Sequence, residues 1–131
     1  MEAHTLELTF PAEPTSVSRA RTQLCEAMAP DLQDGEVETL RLLVSELVTN
    51  AVRHGDGGDP VEVNAHWNSE VRVEVVDHGH GFSPQPRFGR SDEPGGFGLF
   101  LVGRLADHWG VETDDGTTVW FVLQRTDRAV R

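Results

Sequence analysis

Two polar residues interrupt a long apolar helical pattern in the segment L-L-V-S-E-L-V-T-N-A-V-R-H-G. Residues four positions apart lie on one face of a helix, so Glu46 and Asn50 would point in the same direction. A carboxylate at this place could take a proton from an attacking hydroxyl, and an amide oxygen could bind a hard cation such as Mg²⁺. Taken alone, such a pair is more often a solvated glutamate and a polar asparagine near a helix end.

A second group of residues follows the apolar strand pattern V-E-V-V, in the order D-H-G-H-G. Gly79 and Gly81 would let the backbone approach a flat ligand closely, and the Asp77 carboxylate could accept a hydrogen bond from an exocyclic amine. An aspartate-capped turn is the alternative interpretation, at even odds. His78 and His80 occupy the two variable positions of the turn with no third ligand in view, so we do not expect a metal site there.

Two further motifs contain glycine at the start of a regular element. The run G-G-F-G-L, which includes Gly95, Gly96, Gly98 and Leu99, opens a predicted helix. Free N–H groups at a helix start, with no side chains in the way, can bind phosphate, although a flexible loop exit would look the same. The last motif is Gly116-Thr117-Thr118, for which a hairpin turn followed by β-branched residues is the default interpretation.

Hydrophobic periodicity predicts the elements that must position these residues. Alternation of apolar and polar residues predicts five strands, at 4–10, 60–67, 70–76, 110–113 and 117–124. Helical spacing predicts three helices, at 14–29, 35–53 and 97–109, and the proline-rich segment 82–94 reads as a loop. Because hairpins pair strands antiparallel, we expect an α+β fold. It would be a two-layer sandwich, in which three helices pack on one face of a mixed, mostly antiparallel sheet.

Composition narrows the possible functions. The 131 residues predict a single domain, and the 22 acidic residues outnumber 11 basic ones, all of them arginine. A chain without lysine cannot use the P-loop lysine or form a Schiff base. An acidic chain without a basic run is not expected to bind nucleic acid or an anionic membrane. The single cysteine, Cys25, lies among apolar residues and is expected to be buried in the core. The absence of a signal peptide predicts a cytoplasmic protein.

The four motifs, in this order, resemble those of the GHKL ATPase superfamily, which includes gyrase, the ninety-kilodalton heat-shock chaperone, histidine kinases and MutL. Its N box is similar to E-L-V-T-N-A-V-R-H, and its two glycine boxes are similar to D-H-G-H-G and G-G-F-G-L. Gly116-Thr117 resembles the last adenine-contacting motif. The resemblance runs from about residue 15 to 123, with a motif core at about 35–123 and a lid at 82–94. It implies the Bergerat fold. Outside it, the tail at 126–131 is expected to be frayed.

The resemblance also implies a role for each matched residue. Asp77 would bind the adenine amino group, helped through water by Thr117. Asn50 would coordinate the Mg²⁺ that bridges the phosphates of ATP, and Glu46 would act as the general base. Gly79 and Gly81 would form the floor of the adenine pocket with their backbone. The phosphates would contact the backbone of Gly95, Gly96, Gly98 and Leu99.

Among the members of the superfamily, a stand-alone domain of this length most closely resembles the anti-sigma-factor serine kinases. That resemblance implies a regulator of transcription which holds a sigma factor inactive and uses Mg·ATP to phosphorylate a serine of a STAS-type anti-anti-sigma protein. Members of this group commonly form homodimers. The apolar pattern identifies no interface, because Leu42, Phe100 and Trp109 could face either a partner or the core.

One departure from the family pattern concerns the lid. Kinases of this group typically place a basic residue shortly before the second glycine box, near the γ-phosphate. In this chain the nearest are Arg87 and Arg90, and the residues Ser-Asp-Glu-Pro intervene. Solvated loop charges are the simpler interpretation of both arginines. The alternative function is therefore an ATP-sensing binding module that sequesters a regulatory partner without phosphorylating it.

Overall fold

The computed structural model describes residues 3–54, 59–78, 99–113 and 116–125. In chain order its elements are β1 (His4–Phe10), α1 (Thr15–Met28), a 3₁₀ turn (Ala29–Asp31), α2 (Asp34–His54), β2 (Val61–Trp67), β3 (Glu70–Asp77), α3 (Leu99–Leu105), β4 (His108–Glu112) and β5 (Thr117–Gln124). This order confirms the α+β class, with five strands and three α-helices in the described part of the chain.

The five strands form one sheet in the order β1-β2-β3-β5-β4, and each of the four pairings is antiparallel. The sequence predicts a mixed, mostly antiparallel sheet, and each of the described pairings is antiparallel. The three central strands β2, β3 and β5 bury alternate residues over most of their length, as the period of two requires. The face turned to the helices carries the buried side chains, among them Val63, Val73, Val75, Val119 and Phe121.

The two long helices cover one face of this sheet with their apolar stripes. Helix α1 buries Leu24 and Met28, and α2 buries Leu40, Leu43, Val44 and Leu47. Arg21 of α1 donates from Nη1 to Ser45 Oγ of α2 at 3.1 Å, which ties the helices together beside Glu46. At the start of α2, the Gln33 N–H donates to Glu36 Oε1 at 2.8 Å. That bond satisfies one of the free amides that a helix start leaves.

The predicted end of the third helix is wrong. Helix α3 stops at Leu105, whereas the spacing predicts helix to Trp109. Asp107 ends it, because its N–H donates to the Val122 carbonyl and its Oδ2 accepts from the Gln124 N–H. The chain therefore joins the sheet early, and Trp109 pairs with Phe121 in β4 instead of continuing the helix. The predicted start of this helix at residue 97 lies outside the described residues.

The three apolar residues that the sequence could not assign are exposed. Leu42 is 46% exposed, Phe100 66% and Trp109 40%, so they do not belong to the core. The one cysteine, Cys25, is buried, and burial raises the pKa of its thiol. Within the described part of the chain, no helix combines the length and the apolar character needed to cross a membrane.

Gly110 offers a test of packing on the uncovered face of the sheet. A Cβ at this position would lie 2.8 to 2.9 Å from three atoms of the Trp120 indole, whose ring also carries the Arg72 guanidinium at 4.5 Å from its centroid. Gly110→Ala is therefore expected to destabilise the fold by about 1–3 kcal/mol through overpacking. Urea denaturation measures this change.

The control for Gly110→Ala is the same substitution in a Trp120→Val background, where the indole is gone. Alanine is favoured over glycine inside a strand by roughly 0.5–1 kcal/mol. Gly110→Ala should therefore become neutral or stabilising in that background. A stabilising effect of Gly110→Ala in the wild-type chain would show that the indole moves aside without cost.

Candidate functional site

Antiparallel register brings Asp77 and Thr117 together at one edge of the sheet. Asp77 is the last residue of β3, and it lies between Val61, the first residue of β2, and Thr117, the first residue of β5. Both polar side chains lie on the helix-covered face, where Asp77 is 6% exposed and Thr117 is 8% exposed. A carboxylate and a hydroxyl are thus buried side by side at the open end of the core.

Gly116 allows this close approach of the two strands. Its φ is +110°, a conformation that residues with a Cβ rarely adopt. A Cβ at Gly116 would also lie 2.5 Å from the Asp77 backbone oxygen and 3.3 Å from the Cα of His78. The bare glycine therefore lets the start of β5 lie directly against the end of β3.

Helix α2 brings its C-terminal half to the same edge. Its first turns, at Gly35, Glu36 and Thr39, line a cavity of about 300 Å³ at the opposite edge, together with Val71 of β3 and Leu123 of β5. The helix then crosses β2 and β3, and six residues join its end to the start of β2. Glu46 and Asn50 consequently lie in the half of α2 that runs toward Asp77.

The Asn50 amide is buried without a hydrogen-bond partner for its nitrogen among the described residues. The residue is 4% exposed, and the nitrogen in question is Nδ2. A buried donor without a partner costs about 1–3 kcal/mol, so such groups are rare and call for an explanation. An amide offers both a donor for a phosphate oxygen and an acceptor that can ligate Mg²⁺. The Asn50 amide could therefore donate to a phosphate oxygen or ligate Mg²⁺.

Glu46 lies one helical turn before Asn50 and is half-buried. Burial raises the pKa of its carboxyl, and the positive charge of Arg53, two turns further along α2, lowers that pKa in part. A raised pKa makes a carboxylate a better proton acceptor, because its conjugate acid is weaker. The arrangement can therefore hold a base beside a cation ligand on one helix face.

The structure says less about the other predicted site residues. Leu99, the first residue of α3, is 9% exposed and packs in the hydrophobic core. The lid at 82–94 and the tail at 126–131 lie outside the described residues. So do the remaining predicted site residues, which are Gly79, Gly81, Arg87, Arg90, Gly95, Gly96 and Gly98. The structure places Asp77 beside Thr117, and it places Glu46 and Asn50 in the half of α2 that runs toward them.

The sequence motifs include Gly116 in the last adenine-contacting motif but give it no role of its own, and they assign no role to Arg53. The turn signal Asp115-Gly116 marks the hairpin, but nothing in the sequence shows that Gly116 faces the Asp77 backbone. Arg53 lies three residues after Asn50 and seven after Glu46, which is helical spacing on one face. That spacing is a signal that could have identified Arg53.

Comparison with known proteins identifies the family of the chain. A family model described as the histidine kinase-like ATPase domain matches residues 10–123. The chain is 31% identical to the serine-protein kinase RsbW of Listeria innocua, over 87% of this chain and 83% of the relative. Identity to the RsbW of Bacillus licheniformis is 32%, over 87% and 81%, and to that of Oceanobacillus iheyensis 28%, over 87% and 82%. The chain belongs to the histidine kinase-like ATPase family.

Proposed function

We propose that this protein is an ATP-dependent serine kinase that also acts as an anti-sigma factor. Its substrate would be a serine of a STAS-type anti-anti-sigma protein, and Mg²⁺ would be its metal. The observation that supports this function best is the buried Asn50 amide, one turn from the half-buried base Glu46. The similarity to relatives named serine-protein kinase supports the choice of a protein substrate.

Each side chain has one task in this proposal. The Asp77 carboxylate accepts a hydrogen bond from the adenine amino group, and Thr117 beside it supports that contact through water. The Asn50 side-chain oxygen would hold Mg²⁺, which when bound neutralises negative charge on the phosphates. The glycines that precede Leu99 in the sequence would receive the phosphates, as the family resemblance implies.

The transfer step depends on Glu46. Its carboxylate takes the proton from the substrate serine while the serine oxygen forms a bond to the γ-phosphorus of ATP. The bond between that phosphorus and the oxygen bridging to the β-phosphate breaks, and ADP leaves. The proton remains on Glu46 until solvent removes it. A base with a raised pKa suits this step, since it holds the proton better than an exposed glutamate does.

The deciding experiment is the intact mass of each STAS-domain protein of the same genome after incubation with this protein and Mg·ATP. We expect one of them to gain about 80 Da, the mass of one phosphate group. Glu46→Gln serves as the blank, and Glu38→Gln is the matched control. Glu38 lies on the same helix, but its side chain is 68% exposed and pairs with Arg41.

Two other outcomes would contradict the proposal. No mass gain, together with a rise in melting temperature on adding ATP, would favour the ATP-sensing binding module. No rise in melting temperature at millimolar ATP would contradict nucleotide binding itself, because saturation at 100 times Kd should stabilise the fold by about 2.7 kcal/mol. Co-elution of the protein with one purified sigma factor tests the anti-sigma activity separately.

A further inference from the structure

The end of β3 is held on its β2 side by a pair of side chains that the proposed mechanism does not use. His78 follows Asp77, and its Nε2–H donates to Glu62 Oε2 at 2.9 Å. Glu62 lies opposite Val76 in the register, so the bond runs diagonally from β2 to the residue after β3. Diagonal neighbours of this kind are within reach of long side chains.

The same short segment is held on its β5 side by Gly116. The point where a Cβ of Gly116 would stand lies 2.5 Å from the Asp77 oxygen and 3.3 Å from the His78 Cα. The backbone of residues 77 and 78 therefore lies between a close glycine on one side and the Glu62 carboxylate on the other. The residue that follows in the sequence is Gly79, which restrains the backbone least of all residue types.

We propose that Glu62 and His78 are positioning residues that hold Asp77 in the orientation needed to select adenine over guanine nucleotides. The inference rests on the proposed nucleotide binding. Side chains alternate along a strand, so His78 on the uncovered face fixes the direction in which the Asp77 carboxylate points on the covered face. At ring position 6 adenine offers an amino donor to that carboxylate, whereas guanine has a carbonyl oxygen at the same position. An unmatched polar contact of that kind makes a strong discriminator.

The test is titration calorimetry of the whole chain with ATP and with GTP. Glu62→Ala and His78→Ala should each weaken ATP binding about threefold to fivefold, the range of an exposed pair, and leave GTP binding unchanged. The double variant should be no weaker than either single variant, because both remove the same contact. Glu62→Gln keeps an acceptor for His78, so it should restore most of the ATP affinity.

Glu74→Ala is the matched control, because Glu74 lies on the neighbouring strand β3 and on the same sheet face as Glu62. It pairs with Arg72 at 3.1 Å, and its side chain is 35% exposed, against 43% for Glu62. Loss of that pair should leave the ratio of GTP to ATP dissociation constants at its wild-type value. The exposure of His78 and Glu62 means that the fold does not depend on them, and circular dichroism of each variant checks this.

The inference is overturned if Glu62→Ala and His78→Ala keep the wild-type ratio of the two dissociation constants, or if Glu74→Ala lowers it equally. Asp77→Asn in the same series separates this from a failure of the proposed function. If Asp77→Asn reduces selectivity and the Glu62 and His78 variants do not, only the positioning role is lost. If the wild-type chain binds neither nucleotide, the proposed function fails and the positioning role fails with it.

Discussion

Glu46→Gln is expected to slow phosphate transfer to the STAS partner by about 10²- to 10⁴-fold, the usual contribution of a general base. ATP binding should persist, because the adenine and cation contacts assigned to Asp77 and Asn50 remain. Glutamine has nearly the same shape as glutamate but cannot take a proton from the serine hydroxyl. Single-turnover transfer of labelled phosphate measures the rate, and a melting-temperature shift with Mg·ATP measures binding. An unchanged rate would remove Glu46 from the mechanism.

The pH dependence of the wild-type rate provides a second readout of Glu46. Burial raises the pKa of its carboxyl, so the rate should fall on the acid side at a pH above the ordinary pKa of a glutamate. Arg53 lowers that pKa, so Arg53→Ala should move the acid limb to still higher pH, and Arg53→Lys should leave it in place. A shift in the opposite direction would contradict the coupling.

The same raised pKa has a consequence for stability. The folded chain binds a proton at Glu46 more readily than the unfolded chain, so stability falls as pH rises from the unfolded pKa through the higher folded one. At a pH above both pKa values, the ionised carboxylate keeps the full desolvation cost of its burial. Glu46→Gln should therefore raise the melting temperature slightly at neutral pH. A site that loses activity and gains stability on the same substitution is typical of functional strain.

The fold could be predicted because its sequence patterns agree with its elements. Alternation over residues 4–10 and 70–76 matches β1 and β3, and the apolar stripe of α2 is the buried one. The end of α3 could not be predicted, because the Asp107 contacts that stop it come from β5, which follows more than ten residues later in the sequence. Helical spacing continues past Leu105, and only tertiary pairing overrides it.

The sequence indicates the residue types of the candidate site, but it does not show how the fold arranges them. Glu46 and Asn50 share a helix face, which spacing alone indicates. The pairing of Asp77 with Thr117 depends on β5 lying next to β3 although β4 comes between them in sequence. The role of Gly116 depends on the same register, and so does the bond between Glu62 and His78. Strand order is a property of the packed sheet. Motif spacing therefore indicates the resemblance to the family, but it does not indicate which strands are neighbours.

Asn50→Ala is expected to abolish the Mg²⁺-dependent part of ATP binding and to spare nucleotide bound without metal. The amide oxygen is the assigned ligand, and alanine has no oxygen to replace it. The measurement is the melting-temperature shift with ATP in the presence of Mg²⁺ and in the presence of a chelator. In the wild-type chain the Mg²⁺ shift should be larger, and in Asn50→Ala the two shifts should coincide. A Mg²⁺ shift of wild-type size in the variant would show that Asn50 does not bind the metal.

The stability of Asn50→Ala without nucleotide distinguishes a binding role from a structural one. The amide nitrogen is buried and has no partner in the described part of the chain, so its removal ends a cost of about 1–3 kcal/mol. The loss of packing from the shortened side chain offsets that gain, and the net change should be close to zero. A structural asparagine would behave differently, because breaking its hydrogen bonds would destabilise the fold by a similar 1–3 kcal/mol. An unchanged melting temperature combined with lost Mg²⁺ dependence is the result that only a ligand-binding amide gives.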